Sequence, residues 1–424
     1  MEMVSGRIRR LAADGARVLP LVLPLVLLAA TPAVAGDGLD LNARADLRQQ
    51  FQDRRGALPE SPTSQQRAVG LLRGKLASGP ATIQTQIRPE WSHDLGGRHD
   101  GVSGRIHLDE GYLRLAANDA LFIELGKRQI VQGVGLGFNP TDYWSEGKVI
   151  DRTVDDETRR TEREGDVVTG FSYYAEGGSI QGYVAPRLDH PLQSEPTRYS
   201  LTLTRAFVDL DADAALTLYG GDRPAVGVNL SVTMTEALVA YTETSFRRGR
   251  DRAAVETTSS SSTYAIDTDD ERLFVNALGG FQYTFDNGVN LATEYFHNGE
   301  GYSEGEIDRI FALRTEPLPR GSGAAALGAL QARTRDLLSS RNLRRDYAFV
   351  RVNNIKVAGS TTLELTTIRN LDDQGQFFRA LANVPLTDRD LLQVYGSLFQ
   401  GPTRSEYGMN GVEERLLFLY RHHF

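Results

Sequence analysis

The sequence predicts an all-β fold: a transmembrane antiparallel β-barrel of about eighteen strands, with sixteen as the other even count it allows. Three observations predict it. Runs of about ten residues alternate between apolar and polar side chains, the pattern of a strand with lipid on one face and a watery lumen on the other. The connections between runs alternate too, mostly tight after even-numbered runs, with the long ones after odd-numbered runs. The last run stops on an aromatic residue, Phe424.

The runs lie near 39–51, 66–77, 81–93, 104–116, 121–132, 166–176, 179–187, 198–209, 212–220, 225–234, 237–248, 271–285, 288–297, 346–357, 361–370, 376–384, 391–399 and 412–424. In the first, Leu39, Leu41, Ala43, Ala45 and Leu47 share one face, and Asp40, Asn42, Arg44, Asp46 and Arg48 the other. The third sets Ile83, Thr85 and Ile87 against Gln84, Gln86, Arg88 and Glu90; Pro89 interrupts it and predicts a bulge or a strand end. The fourth changes phase between Leu108 and Leu113, which predicts a bulge near Glu110-Gly111. Val226, Val228, Leu230, Val232 and Met234 alternate cleanly with polar neighbours in the tenth. In the eighth, Arg205 sits in an otherwise apolar phase with no local explanation. In the last, Leu416, Phe418 and Tyr420 fall on the lipid face, with Arg415 and Arg421 on the lumen face. Tight turns such as Ser78-Gly79-Pro80 and Ala358-Gly359-Ser360 alternate with long connections at 52–65, 133–165, 249–270 and 298–345. A soluble sandwich would use mostly short turns, and it leaves this alternation unexplained.

The two ends agree with a membrane barrel. Arg7, Arg9, Arg10 and Arg17 precede an apolar core, Leu19 to Ala30, and Ala33-Val34-Ala35 is a small-residue cleavage site. Residues 1–35 therefore read as a secretory signal peptide and 36–424 as the barrel. The apolar core, broken by Pro20 and Pro24, falls short of the ~20 residues a spanning helix needs. The final strand resembles the closing strand of bacterial outer-membrane barrels, whose terminal aromatic the barrel assembly machinery reads. That resemblance implies a cell outer-membrane location, with lipid and lipopolysaccharide as surroundings. The chain has no cysteine, which removes disulfides, thiolate metal sites and a lipoprotein anchor. Its net charge is −8; the four arginines and two acids of residues 1–35 leave −10 for the rest, which argues against nucleic acid as a partner.

One stretch carries a second resemblance. Leu125-Gly126-Lys127-Arg128-Gln129-Ile130-Val131-Gln132-Gly133, followed by Phe138-Asn139-Pro140-Thr141-Asp142, resembles a hairpin of porin-like barrels related to the alginate-export type. In that pattern a strand leads to G-[KR]-Q, then WG, then NP-x-D. The resemblance spans about residues 105–145 and departs at Gln132, where the group often has Trp. It implies an outer-membrane channel and names Arg128, Gln129, Gly133, Asn139, Pro140 and Asp142 as its motif residues. Physically, Gly133, Gly135 and Gly137 permit positive φ and close backbone approach. Asn139 to Asp142 is turn chemistry. A phosphate loop needs a following Lys-Ser/Thr, which is missing. The loop that follows is placed equally well inside the lumen or outside it.

The phase assignment puts basic residues on the lumen face where the barrel closes: Arg44 and Arg48, then Arg67 and Arg73, then Arg88, and Arg415 and Arg421 on the last strand. Arg351, Arg379 and Glu124 are further pore-lining candidates. Such a wall would draw anions, or its charges would pair with carboxylates and brace the barrel. Residues 146–166 are densely charged and read as a solvated surface loop, and 323–340 as a short helix. No HExxH, GxSxG or metal-spaced pair is present, and His107 with Asp109 and Glu110 reads as an inward polar cluster. The sequence thus predicts a non-enzymatic channel, without metal or cofactor, passing small hydrophilic solutes, with anionic ones as an option the basic wall leaves open. A dedicated export channel for an anionic polysaccharide is the alternative, and an outer-membrane enzyme a distant third.

Overall fold

The computed structural model describes residues 38–54, 63–96, 101–145, 148, 151–188, 196–250, 252–257, 264–267, 271–315, 328–329, 332, 337–338 and 342–424. The signal segment 1–35 and most of the helix expected in 323–340 lie outside the described residues.

Among the described residues, eighteen strands close into one sheet. They are β1 (Leu39–Arg54), β2 (Ser64–Ser78), β3 (Ala81–Leu95), β4 (Gly101–Ala116), β5 (Leu121–Arg128), β6 (Asp166–Ala175), β7 (Gly178–Ala185), β8 (Arg198–Phe207), β9 (Ala212–Gly220), β10 (Ala225–Thr235), β11 (Leu238–Arg248), β14 (Leu273–Thr284), β15 (Asn290–Asn298), β16 (Asp346–Ala358), β17 (Thr361–Asn370), β18 (Gln376–Pro385), β19 (Asp390–Gln400) and β20 (Val412–His423). A separate hairpin, β12 (Ala254–Thr257) and β13 (Tyr264–Asp267), lies in the connection between β11 and β14. Each barrel strand pairs antiparallel with the next, and β20 returns to β1 in the register Arg44↔His423 to Gln52↔Arg415. The Phe424 amide adds one more bond, to the Ala43 carbonyl at 3.1 Å. Closure matters because hydrocarbon offers no water to an unpaired strand edge. The count is eighteen, so the sixteen-strand alternative is set aside.

The period of two sorts the side chains. Leu41, Ile83, Ile87, Val226 and Val228 are exposed on the outer face. Arg44, Asp46, Arg48, Gln86 and Arg88 are buried on the inner one. On β20, Leu417, Leu419 and Arg421 point inward, and Leu416, Phe418 and Tyr420 alternate with them. At the tight turns, Gly79 and Gly359 both take φ 55°, a left-handed value that favours glycine.

Three irregularities refine or correct the sequence reading. The bulge on β4 is at Asp109: Gln86 faces Glu110 and Ile87 faces Leu108, so Asp109 is the extra residue and turns into the lumen. Pro89 neither ends nor bulges β3. Its ladder to β2 skips Gly70 and Leu71 while the register is kept, and a Cβ on Gly70 would lie 3.0 Å from the proline ring. Arg205 reaches the rim and donates to the Glu176 carbonyl at 3.2 Å, so its charge leaves the lipid face.

The long connections at one end of the barrel are built on caps and a buried carboxylate. Helix α2 (Glu304–Thr315) begins with a capping box. The Ser303 amide and hydroxyl both donate to Glu306 Oε2 at 2.7 Å, the acid's half of the box, a signal legible in Ser303-Glu304-Gly305-Glu306. Its Ile307, Ile310 and Phe311 pack on Tyr302 and Leu343. Nearby, Glu406 accepts from Asn342 N at 3.0 Å, Leu343 N at 3.3 Å, Tyr347 Oη at 2.6 Å and Asn370 Nδ2 at 3.2 Å, joining three connections.

Burial, reinforced by the nearby Asp373 charge, raises the Glu406 pKa, against these donors and Arg152. Burial likewise raises Asp373, against its backbone donors and Arg344. A carboxyl with a raised folded pKa binds its proton more tightly when folded, so its contribution is present below the ordinary carboxyl range and lost as pH rises through the folded value. Intrinsic-rate-corrected hydrogen exchange at Asn342 and Leu343 is therefore expected to slow as pH falls from neutral towards that range. Glu406→Gln should weaken the dependence, and an unchanged dependence would remove Glu406 from the account.

Candidate functional site

The connection from Gln129 to Gly165 folds into the barrel, and its two halves are held by different physics. The first half is anchored. Glu243 on β11 accepts from the Val134 and Gly135 amides (2.5 Å for Gly135) and from Thr141 Oγ1 at 2.9 Å. Glu294 on β15 accepts from Leu136 N at 2.5 Å, Gly137 N at 2.9 Å, Phe138 N at 3.3 Å and Tyr241 Oη at 2.9 Å. Successive backbone amides cradle anions well; here the anions are the protein's own carboxylates. A side chain would break the fit, since a Cβ on Gly133 would meet Glu243 Oε1 at 2.8 Å and one on Gly137 would meet Phe349 Cδ2 at 2.5 Å. Phe138 stacks on Phe296 with ring centroids 4.7 Å apart, within an apolar cluster that includes Tyr347, Phe349, Ile368 and Phe377.

The turn expected at Asn139-Pro140-Thr141-Asp142 is present, with Asp142 N donating to Asn139 O at 3.2 Å. Asp142 then pairs with Arg163 at 2.8 Å, tying the start of the loop to its end. Tyr143 and Trp144 are fully buried and donate to Ser245 and Ser200 at 2.9 and 3.1 Å. Arg128 pairs with Glu124 and donates to Tyr183 Oη at 2.7 Å. Gln129 N donates to Glu110 Oε1 at 2.9 Å. Gln132, at the position where the resembled group has Trp, donates to Thr202 Oγ1 at 2.8 Å.

The second half, Asp151 to Glu164, is held mainly by ionic and polar bonds. It contains the short helix α1 (Asp156–Thr161), capped by Asp155, which accepts from Thr158 N at 3.0 Å. Glu157 bridges Arg44 at 2.9 Å and Arg421 at 3.0 Å. Glu162 pairs with Arg48, one bond being 3.0 Å. Asp46 lies between the same three arginines, at 3.3 Å from Arg44, 3.0 Å from Arg48 and 2.9 Å from Arg421. Asp156 pairs with Arg351 at 2.7 Å, and Asp155 accepts from Tyr395 Oη at 2.6 Å. Burial opposes the charge on Asp156, but Arg159 and Arg351 outweigh it and its pKa is lowered. Arg415 donates to Thr153 Oγ1 at 2.8 Å, and Arg379 to the Arg152 carbonyl at 3.1 Å and to the Val154 carbonyl. The charged 146–166 stretch thus does not behave as a solvated surface loop: its described part from Asp151 to Glu164 lines and fills the lumen.

The candidate arginines separate into groups. Arg44, Arg48 and Arg421 converge on the loop, with Arg415 above them. Arg88 instead holds Asp109 at 2.8 and 3.1 Å, and Arg67 holds Glu90 at 2.6 Å. Arg73 is exposed and donates to Gln86 at 2.8 Å. His107 pairs with Glu164 at 2.7 Å. Arg351 and Arg379 stand across the lumen, where they meet two residues that sequence reasoning missed, Arg152 and Arg159. These four line a small solvent-open cleft with Asp156, Leu136, Phe349 and Phe377. Only their place in the charged stretch hinted at them. Among the described residues, no cluster of His, Cys, Asp and Glu is arranged to hold a metal.

A closed antiparallel barrel with a loop in its lumen defines the class: the fold is that of a porin-like outer-membrane barrel. OccAB1 of Acinetobacter baumannii is similar in structure at TM-score 0.53 and 10% identity, over 91% of this chain and 96% of that one. A triple mutant of the Rhodopseudomonas blastica porin aligns over 91% of this chain and 100% of its own, at TM-score 0.45 and 11% identity. No family model matches the sequence. No curated protein matches it either.

Glu294→Ala removes the acceptor of three buried amides, each costing about 1–3 kcal/mol when left unpaired. The barrel is expected to fold and keep its heat-modifiable gel mobility, while single-channel conductance rises and becomes noisier. Unchanged conductance would show that the anchored half does not restrict the pore.

Proposed function

We propose that this chain is an outer-membrane diffusion channel for small hydrophilic solutes that favours anions at its constriction. The carrying observation is the cleft between loop and wall. Arg152, Arg159, Arg351 and Arg379 face it, against Asp156 and the Glu364 partner of Arg379. Four guanidinium groups against these two carboxylates, and the Glu406 charge that Arg152 also feels, leave an excess of positive charge where loop meets wall, and such an excess concentrates anions. The arginines of β1 and β20 act differently, because the loop's carboxylates already hold them. A loop crossing the lumen fits small solutes better than a continuous polymer, which favours diffusion over polysaccharide export. Residues 1–35 as an export signal and Phe424 as a mark for the assembly machinery belong to the same proposal.

Reversal potentials in a KCl gradient test it. The wild-type pore is expected to prefer chloride, and Arg152→Gln with Arg159→Gln to move the potential towards potassium. The shift should be larger in dilute salt, where screening is weaker. A cation-preferring wild type, or an unmoved potential, overturns the anion preference.

A further inference from the structure

The seat formed by Arg44, Arg48 and Arg421 has a resident supplied by the chain itself. These three buried guanidinium groups share one wall carboxylate, Asp46, which is 1% exposed. Two further negative charges balance the seat, and Glu157 and Glu162 bring them. Arg421 Nη2 and Arg44 Nη2 add bonds to Thr158 and Thr161 at 2.8 and 3.2 Å. Two carboxylates a few residues apart on a small polar frame are what a soluble dicarboxylate also presents.

Of the two acids, Glu162 is 12% exposed against buried Arg48, and Glu157 is the one that solution ions reach first. The Glu157 side chain is 56% exposed, although it bridges two buried arginines. Ion pairs open to water are worth little individually and weaken with salt. The apolar foothold of this segment is Val154, against Leu381, Tyr395, Leu417 and Leu419. The Val134–Trp144 half, by contrast, is fixed by buried aromatic rings and by amides bonded to two glutamates. A charge-held segment hinged on a packed one can leave its seat without unfolding the barrel.

We propose that the Arg44–Arg48–Arg421 seat is a binding site for a soluble dicarboxylate, and that its occupation displaces the segment Asp151–Glu164 and widens the lumen. This rests on the reading of the chain as an anion-conducting channel, and makes the loop a latch that the permeating class of solute releases. Buried arginines stay charged throughout, so the exchange is of one pair of carboxylates for another and the seat is never left unbalanced.

The chain contains no cysteine, so one introduced thiol reports alone. Val154→Cys places it on the buried, wall-facing side of the segment itself. Its modification by an uncharged maleimide is measured in full-length refolded protein, with succinate or with chloride at equal ionic strength. Succinate is expected to raise the rate several-fold and saturably. With Glu157→Gln and Glu162→Gln added, the rate should be high already and insensitive to succinate. A rate that succinate leaves unchanged, or equal rates with and without the two glutamates, overturns the proposal. Leu381→Cys, on the wall beneath Val154, serves as a second reporter if the first variant fails to fold. The reversal potential is read separately: an anion-selective pore with an unresponsive thiol sinks the latch alone, whereas a responsive thiol in a cation-selective pore sinks the channel preference.

Discussion

A charge that loses water inside this barrel must meet an opposite charge, and the rest of the structure follows from that constraint. Asp46 and Arg421 are almost wholly buried, so neither keeps the hydration that would make an isolated charge tolerable. Removing one partner of such a group leaves the other uncompensated, at several kcal/mol in typical cases. The inner wall presents arginines at the barrel closure, and the connection after β5 carries acids at matching places. Wall and loop are therefore complementary halves of one electrostatic unit, joined across more than a hundred residues of sequence.

The lumen solves the problem differently on its two sides. Around β11 to β18 it is packed like a protein interior, with Phe138, Phe296, Tyr347 and Phe349 in contact and backbone amides turned onto Glu243 and Glu294. Around β20 and β1 it is ionic. The first arrangement holds a loop in one place, because moving it exposes apolar rings and strands amides without acceptors. The second holds a loop only as firmly as the ions around it permit. Between the two halves, Arg159 and Arg351 share Asp156 and Arg379 holds Glu364, and the proposed anion preference rests on the charge left over there.

Much of the barrel was legible in the sequence, because a period of two is a local property. All eighteen strands lie within a few residues of their expected places, and the inward phase of Arg44, Arg48, Arg351, Arg379 and Arg421 is where alternation puts it. Alternation failed where inward residues are apolar. Leu417 and Leu419, or Phe349 and Phe377, blur the pattern because the lumen is packed there and not wet. The exchange of partners was not legible at all. Nothing near Glu157 says that it bridges Arg44 and Arg421, so a charged stretch reads as solvated surface until the fold brings the wall to it. The bulge lies where the phase change put it, beside Glu110, but that its extra residue is Asp109 and turns inward to Arg88 was not legible.

The central claim is that the acidic segment sits deep in the lumen. Pulsed spin-label distance measurement tests it directly, since introduced cysteines are the only thiols. One label is placed at the tight turn between β16 and β17 as Ser360→Cys, and the second either on α1 as Arg160→Cys or on helix α2 as Asp308→Cys, all exposed positions. The account predicts a narrow distance from Arg160→Cys that is clearly shorter than the one from Asp308→Cys. A broad distribution, or distances as long as those from helix α2, would contradict a loop docked against Arg44, Arg48 and Arg421.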